Sequence, residues 1–219
     1  MAESRQVVYL HVDPKIQQTE IHFPLQVCLD HGLYPEPSKC IIYSFGVNDE
    51  WSFEDVMGVY GCQIFAFDPA GEVADHDRSD NIHFYNMGIA SQNIDRGFNG
   101  RNLRTLSAVY EMLKSRHGEV NIDYLKMDIE FGEWDVLPQI LQSGMMDKVV
   151  QLAVEIHFKP DGNINWHRRF VQIIKSIEDY GMVRFSSTVN VLAQKVVNDV
   201  GVEFHSAYEL AWYNNRYLK

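Results

Sequence analysis

Short apolar runs that are typical of buried strands alternate along most of the chain with segments whose apolar residues recur at helical spacing. The strand-like runs are Cys40–Phe45, Cys62–Phe67, Ile82–Ile89, Ile122–Asp128, Val149–His157, Met182–Val189 and Val202–Tyr213. The helical segments between them carry the apolar pairs Phe53 and Met57, Leu106 and Leu113, Trp134 and Leu141, and Phe170 and Ile177. Glycines follow several of these segments, as expected where a helix ends.

Alternating strands and helices predict right-handed crossovers and a mostly parallel sheet with helices on both faces. We therefore expect an α/β three-layer sandwich with a seven-stranded sheet. No helical segment separates the last two strands, which predicts an antiparallel hairpin at the C-terminal end. Residues 1–39 show little periodicity and are expected to form a short helix and a covering segment, whereas residues 40–219 form the domain.

The composition is that of an ordinary globular protein and narrows the choice of partners. Of the 219 residues, 46% are hydrophobic, and the net charge is −11. A general nucleic-acid-binding protein needs clustered Lys and Arg, so this charge predicts no nucleic-acid partner. No apolar run approaches the ~20 residues that a membrane-spanning helix requires, and the N-terminus lacks the order of a secretory signal. We expect a soluble protein that is cytoplasmic by default.

The three cysteines, Cys28, Cys40 and Cys62, cannot all pair within one chain. Cys40 and Cys62 begin two apolar runs, where cysteine serves as a small hydrophobic residue. We therefore expect reduced thiols, and a Cys28–Cys40 bridge stays open as the alternative in an oxidising compartment.

The turn after the first predicted strand, within "IIYSFGVNDEW", indicates the kind of cofactor. Ser44, Phe45, Gly46 and Asn48 lie at the carboxyl end of that strand, where sheets of this kind bind ligands. The turn lacks the three glycines of a dinucleotide site, and a helix that starts with Asp49 and Glu50 would repel a pyrophosphate. S-adenosylmethionine carries a sulfonium and an ammonium, and it suits these acids better. Alternatively, Asn48 simply caps the helix and the acids stabilise its dipole.

The next two strand ends supply candidate contacts to the rest of that cofactor. Asp68 lies about 20 residues after the first turn, where an acid accepts hydrogen bonds from ribose hydroxyls. Pro69 fixes the chain direction after it. Met87, Gly88 and Ile89 could enclose an adenine ring. The alternatives are an Asp-Pro turn for Asp68 and ordinary core for the apolar residues.

The fourth and fifth predicted strands end in "LKMDIEFGEWDVL" and "LAVEIHF" and carry the candidate reactive groups. Asp128 and Glu130, like Glu155 and His157, are two residues apart and share a strand face. Glu130 or His157 could deprotonate an acceptor hydroxyl, and Asp128 could orient the acceptor or the methionine end of the cofactor. Asp128, Glu155 and His157 could instead bind Mn²⁺ or Mg²⁺.

A purely structural role is the alternative for these polar residues at the two strand ends. In that interpretation, Glu130 and Glu133 are ordinary acids at a helix N-terminus, and His157 is a loop histidine with satisfied hydrogen bonds. This interpretation is strongest for Glu133. It is weaker for Asp128 and Glu155, which end apolar runs.

The segments "IIYSFGVNDEWSFE", "GCQIFAFDPA", "IHFYNMGIA", "LKMDIEFGEWDVL" and "AVEIHF" together resemble FkbM-type S-adenosylmethionine-dependent methyltransferases and their animal methyltransferase-like relatives. The resemblance spans about Val27 to Asn214. It departs at Phe131, which precedes Gly132 and shifts the spacing before Glu133. The resemblance implies a seven-stranded class I methyltransferase (Rossmann-like) fold and cofactor contacts at Gly46 and Asp68. It also implies methylation of hydroxyl groups, often on sugars.

These observations predict an S-adenosylmethionine-dependent O-methyltransferase whose acceptor is a small molecule or glycan, most simply a saccharide. The alternatives are an NAD(P)-dependent oxidoreductase and a non-catalytic cofactor-binding module of the same fold. Some relatives of the resembled family carry a membrane anchor, so the lumen of the secretory pathway is the alternative compartment if an anchor was removed. The sequence leaves open the acceptor, the metal dependence and the oligomeric state.

Overall fold

The computed structural model describes residues 7–9, 26–69, 73–97, 100–159, 164–197, 201 and 203–218, which form a mixed α/β fold around one large sheet. The strands are β1 (Val7–Tyr9), β2 (Gln26–Cys28), β3 (Ile41–Phe45), β4 (Gln63–Phe67), β5 (His76–Ser79), β6 (Ile82–Tyr85), β7 (Gly88–Ile89), β8 (Leu103–Arg104), β9 (Ile122–Met127), β10 (Val149–His157), β11 (Met182–Val189), β12 (Lys195–Val197), β13 (Glu203–His205) and β14 (Ala207–Asn214). The helices are α1 (Ser52–Tyr60), α2 (Leu106–His117), α3 (Glu133–Gln142) and α4 (Ile164–Asp179), and a short 3₁₀ helix covers Met145–Lys148.

The large sheet is mostly parallel, as predicted. Within the described residues its strand order is β11-β14-β10-β9-β3-β4-β6-β5. The central strands β10, β9, β3, β4 and β6 run parallel to one another. At one end β14 lies between β10 and β11 and is antiparallel to both. The carboxyl ends of the five central strands therefore share one edge of the sheet.

Two details of the predicted strand pattern differ in the structure. The sheet has an eighth strand, β5, which pairs antiparallel with β6 at the edge. The pattern of apolar residues missed it because its sequence, HDRS, is polar and exposed. The predicted C-terminal pair, β11 and β14, is antiparallel, but the stretch between them contains the small β12–β13 sheet instead of a simple turn. The start of the last predicted run, Val202, lies outside the described residues.

Alternation along the strands buries apolar side chains on both faces of the sheet. Tyr43 and Phe45 of β3 point into the larger core with side chains from α2, α3 and α4. Ile42 points to the opposite face, where Phe53 and Met57 of α1 cover the sheet. The predicted helices therefore lie on both faces, which gives the three layers.

The N-terminal region contributes the antiparallel pair β1 and β2. The main chain of Cys28 in β2 is bonded to the buried side chain of Gln151 in β10: Cys28 N donates to Gln151 Oε1 at 2.8 Å, and Gln151 Nε2 donates to Cys28 O at 3.0 Å. Within residues 1–39, which were expected to hold a short helix and a covering segment, residues 1–6 and 10–25 lie outside the described residues. The division into a covering segment and a domain stays a prediction.

The expected reduced state of Cys40 and Cys62 is wrong, and so is the Cys28–Cys40 alternative. A disulfide joins Cys40 to Cys62 across a Cα–Cα distance of 4.7 Å. The reason is the register of the sheet: Ile41 is paired with Gln63, so the residues that precede the parallel strands β3 and β4 face each other. The sequence shows where each strand begins but not which residues lie side by side.

None of the helices in the described part of the chain is long and apolar enough to cross a membrane.

Candidate functional site

A cleft of about 520 Å³ opens at the carboxyl edge of the sheet, between the loops that follow β3, β4 and β9 and the β7–β8 pair. It is lined by many residues that the sequence singled out: Phe45, Gly46, Asn48, Asp68, Pro69, Gly88, Ile89, Asp128 and Glu130. Other lining residues, such as Ser91 and Asp135, were not predicted. The prediction that ligand-binding residues meet at this edge agrees with the position of the cleft.

Gly46 is required by the protein's own main chain. Its φ is +83°, and a Cβ there would lie 1.6 Å from the carbonyl oxygen of Asp128. On either side, Gly46 N donates to Phe67 O and Asp128 N donates to Phe45 O, both at 2.9 Å. The family resemblance implied a cofactor contact at this glycine. In the structure it lets the ends of β3 and β9 approach each other, which brings Asp128 to the mouth of the cleft.

Asp68 fastens the loop after β3 to the end of β4. Its Oδ2 accepts a hydrogen bond from the main-chain N–H of Asn48 at 2.8 Å, and its side chain lies in the cleft with only 7% of the residue exposed. This bond occupies one of the two carboxylate oxygens with the loop after β3. The structure therefore gives Asp68 a structural contact in addition to the predicted ribose contact.

The expected helix start at Asp49 and Glu50 is wrong. Asn48 and Asp49 have left-handed φ values of 43° and 64°, and α1 begins only at Ser52. Asn48 is therefore part of a turn and does not cap the helix. Glu50 Oε1 instead accepts a hydrogen bond from Ser52 N at 2.9 Å. Glycine marks a left-handed position in a sequence, whereas Asn and Asp do so only weakly. The sequence therefore did not reveal this turn.

Three of the residues expected to bind the cofactor, Ser44, Glu50 and Met87, do not line the cleft, and Glu50 lines a smaller cavity beside it. The buried Ser44 hydroxyl donates to Glu54 Oε1 at 2.5 Å, and Lys126 Nζ lies 3.2 Å from the same oxygen. Met87 packs against the larger core. Ser44 is therefore directed toward α1 and Met87 toward the larger core.

A second, smaller cavity of about 110 Å³ adjoins the cleft and shares Gly46, Asn48 and Asp128 with it. Its wall is acidic, with Glu50, Glu155 and Glu209. Glu155 and Glu209 are directly paired on β10 and β14, an arrangement in which like charges repel. Burial and the charge of Glu155 raise the pKa of Glu209 to about 8.

His157 lies at the centre of a group of carboxylates. Its Nε2 is 3.8 Å from Asp128 Oδ1, 3.8 Å from Glu130 Oε2 and 3.7 Å from Glu155 Oε1. Its Nδ1 is 3.0 Å from Glu133 Oε1. The ring is also held at the strand end, because Trp134 Nε1 donates to His157 O at 2.7 Å. The structure thus brings together all the predicted catalytic and metal-binding residues.

These neighbours change the proton affinities of the group. Burial lowers the pKa of His157, but the hydrogen bond to Glu133 and the surrounding negative charges outweigh it and raise the value to about 9. Burial, followed by repulsion from Glu155, raises the pKa of Asp128 to about 7. At neutral pH a protonated His157 therefore neutralises part of the acidic charge when no other cation is present.

The donor set also fits a divalent cation. One ligand atom each from Asp128, Glu130 and His157 lies within 4.8 Å of the others. Asp128 Oδ1 is buried and has no hydrogen-bond partner among the described residues. Carboxylate oxygens with one imidazole suit Mn²⁺ or Mg²⁺. Glu155, predicted as a ligand, lies nearby, but its Oε1 already accepts a hydrogen bond from Asn190 Nδ2 at 2.7 Å.

Sequence reasoning undervalued Glu133, which it interpreted as an ordinary acid at a helix start. Glu133 is completely buried, and its Oε1 accepts from Ile129 N at 3.2 Å and contacts His157 Nδ1. Its place at the start of α3 was visible in the sequence. Its contact with a residue 24 positions away was not.

Comparisons with known proteins point to one family. A sequence profile described as "Methyltransferase domain" matches residues 16–202. The probable methyltransferase-like protein 24 of Homo sapiens is 25% identical over 210 residues, which cover 90% of this chain and 57% of the human protein. That of Rattus norvegicus is 26% identical over 207 residues, with 89% and 57% covered. The chain spans little more than half the length of these curated relatives.

Among solved structures, a putative hemolysin from Streptococcus thermophilus aligns with a TM-score of 0.44 and 12% identity, covering 81% of this chain and 60% of that chain. No functional conclusion is drawn from a likeness of this size.

Proposed function

The chain belongs to the methyltransferase domain family, and from this premise we propose that it transfers the methyl group of S-adenosylmethionine to a hydroxyl group of a saccharide. We further propose that it is an FkbM-type enzyme within that family. Methyl transfer is favoured over hydride transfer, because the family match concerns methyltransferases and the turn after β3 has one glycine. The observation that carries the proposal is the His157 group of carboxylates beside the cleft that contains Asp68.

The cleft supports binding of the cofactor. Its volume of about 520 Å³ is in the range of small-molecule sites. Asp68 would accept hydrogen bonds from the ribose hydroxyls, and the apolar Ile89 beside Gly88 would contact the adenine. The neighbouring acid Glu50 tolerates a sulfonium and an ammonium, which it would not do for a pyrophosphate. Pro69 and Phe45 complete the wall.

Asp128 is the best candidate for the general base. A base works best when its pKa lies near the operating pH, and burial with repulsion from Glu155 raises the pKa of Asp128 to about 7. His157, with a pKa raised to about 9, holds its proton at neutral pH and is a weaker base there. In the metal-free protein Asp128 is therefore the better base and His157 carries positive charge, whereas with a cation bound both side chains would lose their protons and act as ligands.

Asp128, Glu130 and His157 would hold a divalent cation, with Glu155 beside them. When bound, such a cation lowers the pKa of an acceptor hydroxyl and so assists its deprotonation. Glu133 contacts Nδ1 of His157 and thereby directs Nε2 toward the three other carboxylates. This support of a ligand histidine by a buried carboxylate is common at metal sites.

The test is transfer of a radiolabelled methyl group from S-adenosylmethionine to a glycan array and to a panel of phenols and peptides, with and without Mn²⁺. We expect labelling of saccharide spots that increases with Mn²⁺ and is lost with chelator. Asp128→Asn should abolish the labelling while retaining cofactor binding by calorimetry. Labelling of phenols or peptides alone would refute the saccharide assignment, and unchanged activity with chelator would refute the metal.

The disulfide supports a different compartment from the one expected from the sequence. Structural disulfides persist in oxidising environments and are rare in the cytosol. We therefore propose that the protein functions in an oxidising compartment such as the lumen of the secretory pathway, based on the Cys40–Cys62 bond.

A further inference from the structure

The loop after β9 holds an aromatic ring at the site in an unusual main-chain conformation. Glu130 and Phe131 have left-handed φ values of 50° and 72°, although neither is glycine. Residues held in such conformations cluster at functional sites. The result is that the Phe131 ring lies 5.5 Å from the His157 ring, with 38% of the residue exposed.

A second exposed ring and a cation lie beside it. Trp166, in the first turn of α4, is 44% exposed. Lys159 Nζ lies 5.7 Å from the centre of the Phe131 ring and 5.6 Å from that of Trp166. Two large aromatic side chains and one ammonium therefore converge next to the carboxylates around His157.

Local structure does not explain the exposure of Phe131. Tyr60, which is exposed to a similar degree, donates its hydroxyl hydrogen to Pro35 O at 2.9 Å and so has a structural contact. Phe131 has no polar atom to satisfy. The ring contacts His157 and Lys159 on one side, and its exposed part lies beside the cleft, where a bound ligand would cover it.

We propose that Phe131, Lys159 and Trp166 form the acceptor platform and bind a neutral saccharide ring. This inference rests on the proposed function. One face of a pyranose presents C–H groups that pack against the electron-rich face of an aromatic ring, and an ammonium offers three hydrogen-bond donors to hydroxyl oxygens. Asp128, Glu130 and Asp135 line the adjacent cleft, and their charge disfavours an anionic sugar. The platform would hold the acceptor hydroxyl near Asp128.

The first test measures saccharide binding without turnover, using saturation-transfer NMR with cellobiose and chitobiose as probes. We expect signals from the wild type, and an affinity loss of about tenfold in Phe131→Ala and Trp166→Ala, which corresponds to about 1.4 kcal/mol. Lys159→Gln should lose less. Val171→Ala, at a 63% exposed position of the same helix, is the matched control and should bind like the wild type.

Phe131→Gly separates a binding role from a structural one. Glycine adopts a φ of +72° without strain, so relief of strain offsets the lost ring contacts, and this variant should melt near the wild-type temperature and still lose saccharide binding. A lower melting temperature with unchanged binding would mean that the ring is structural, and the platform would be refuted.

Failure of the platform and failure of the proposed function give different results. If the wild type binds saccharides through these residues but labels no acceptor, the platform stands and the enzymatic proposal fails. If the wild type methylates saccharides and the variants keep its KM, the platform fails and the enzymatic proposal stands. If the wild type binds neither cellobiose nor chitobiose, the platform is refuted.

Discussion

At the scale of single residues, the site depends on contacts within the main chain as much as on chemical groups. Gly46 and Asp128 are separated by 82 positions but lie so close that only glycine fits. The sequence could mark both residues, because one follows β3 and the other follows β9. It could not reveal that they touch, nor that Glu133 is bonded to His157, because both contacts depend on how neighbouring loops fold together.

Gly46→Ala should disrupt the site through this contact. A Cβ would lie 1.6 Å from Asp128 O, so β3 and β9 must separate, and we expect a loss of about 3 kcal/mol or more in the free energy of unfolding. Gly144→Ala is the control: its φ of +73° is similar, but nothing lies within 4 Å of the added Cβ. It should cost only about 1–2 kcal/mol. Equal losses in urea unfolding would contradict the crowding argument.

Two substitutions of Asp68 separate its predicted roles. Asp68→Ala removes the acceptor for Asn48 N–H and the ribose contact, so S-adenosylhomocysteine should bind about 10–100-fold more weakly. Asp68→Asn keeps an oxygen for Asn48 N–H and should lose less affinity, with little change in melting temperature. Calorimetry on both variants makes the comparison. Tight binding retained by Asp68→Ala would refute the ribose assignment.

At the scale of helices and strands, the periodicity predicted most of the elements that carry the site. It could do so because β3, β4, β9 and β10 are buried apolar runs and the helices between them have one apolar face. It failed where pairing between strands decides the outcome. The polar β5 has no apolar signal, and nothing local shows that β14 inserts between β10 and β11. The Cys40–Cys62 bond is a further product of register.

Reduction of that bond should destabilise the amino ends of β3 and β4. The bridge closes a loop with a sequence separation of 22, for which loop entropy gives a stabilisation of about 3 kcal/mol. Dithiothreitol should therefore lower the melting temperature of the wild type by several degrees, about 5 °C or more. The double variant Cys40→Ala, Cys62→Ala should melt lower and be insensitive to dithiothreitol. A wild-type melting temperature that is unchanged by dithiothreitol would argue against the disulfide.

At the scale of the whole molecule, the chain has a net charge of −11, and several of its acids lie together at the carboxyl edge of the sheet. The parallel sheet concentrates Asp128, Glu155 and His157 at one edge because the carboxyl ends of parallel strands meet there, and the sequence could predict this. The antiparallel β14 adds Glu209 opposite Glu155, which could not be predicted without the strand order. The folded protein therefore holds acids close together that repel one another unless protons or a cation neutralise them.

This repulsion predicts how stability depends on pH. The folded-state pKa values of Asp128, about 7, and Glu209, about 8, lie above those of unfolded carboxyls, and that of His157, about 9, lies above an unfolded value of 6.5. The folded state therefore binds more protons between about pH 4 and pH 9. Its stability is greatest in the acid part of this range and falls as the pH rises, by at most about 1.4 kcal/mol per pH unit for each proton.

Mn²⁺ should reverse this trend, because its ligands bind it only after losing their protons. The melting temperature of the metal-free protein should decrease from pH 6 to pH 8.5, and saturating Mn²⁺ should raise it more at pH 8.5 than at pH 6. Glu209→Gln removes one repelling carboxyl and should flatten the metal-free profile. This variant thereby distinguishes the pH dependence caused by the acidic cluster from any pH dependence caused by the net charge of the molecule. A metal-free melting temperature that rises with pH would contradict the proton affinities. A Mn²⁺ shift that is independent of pH would contradict the metal site.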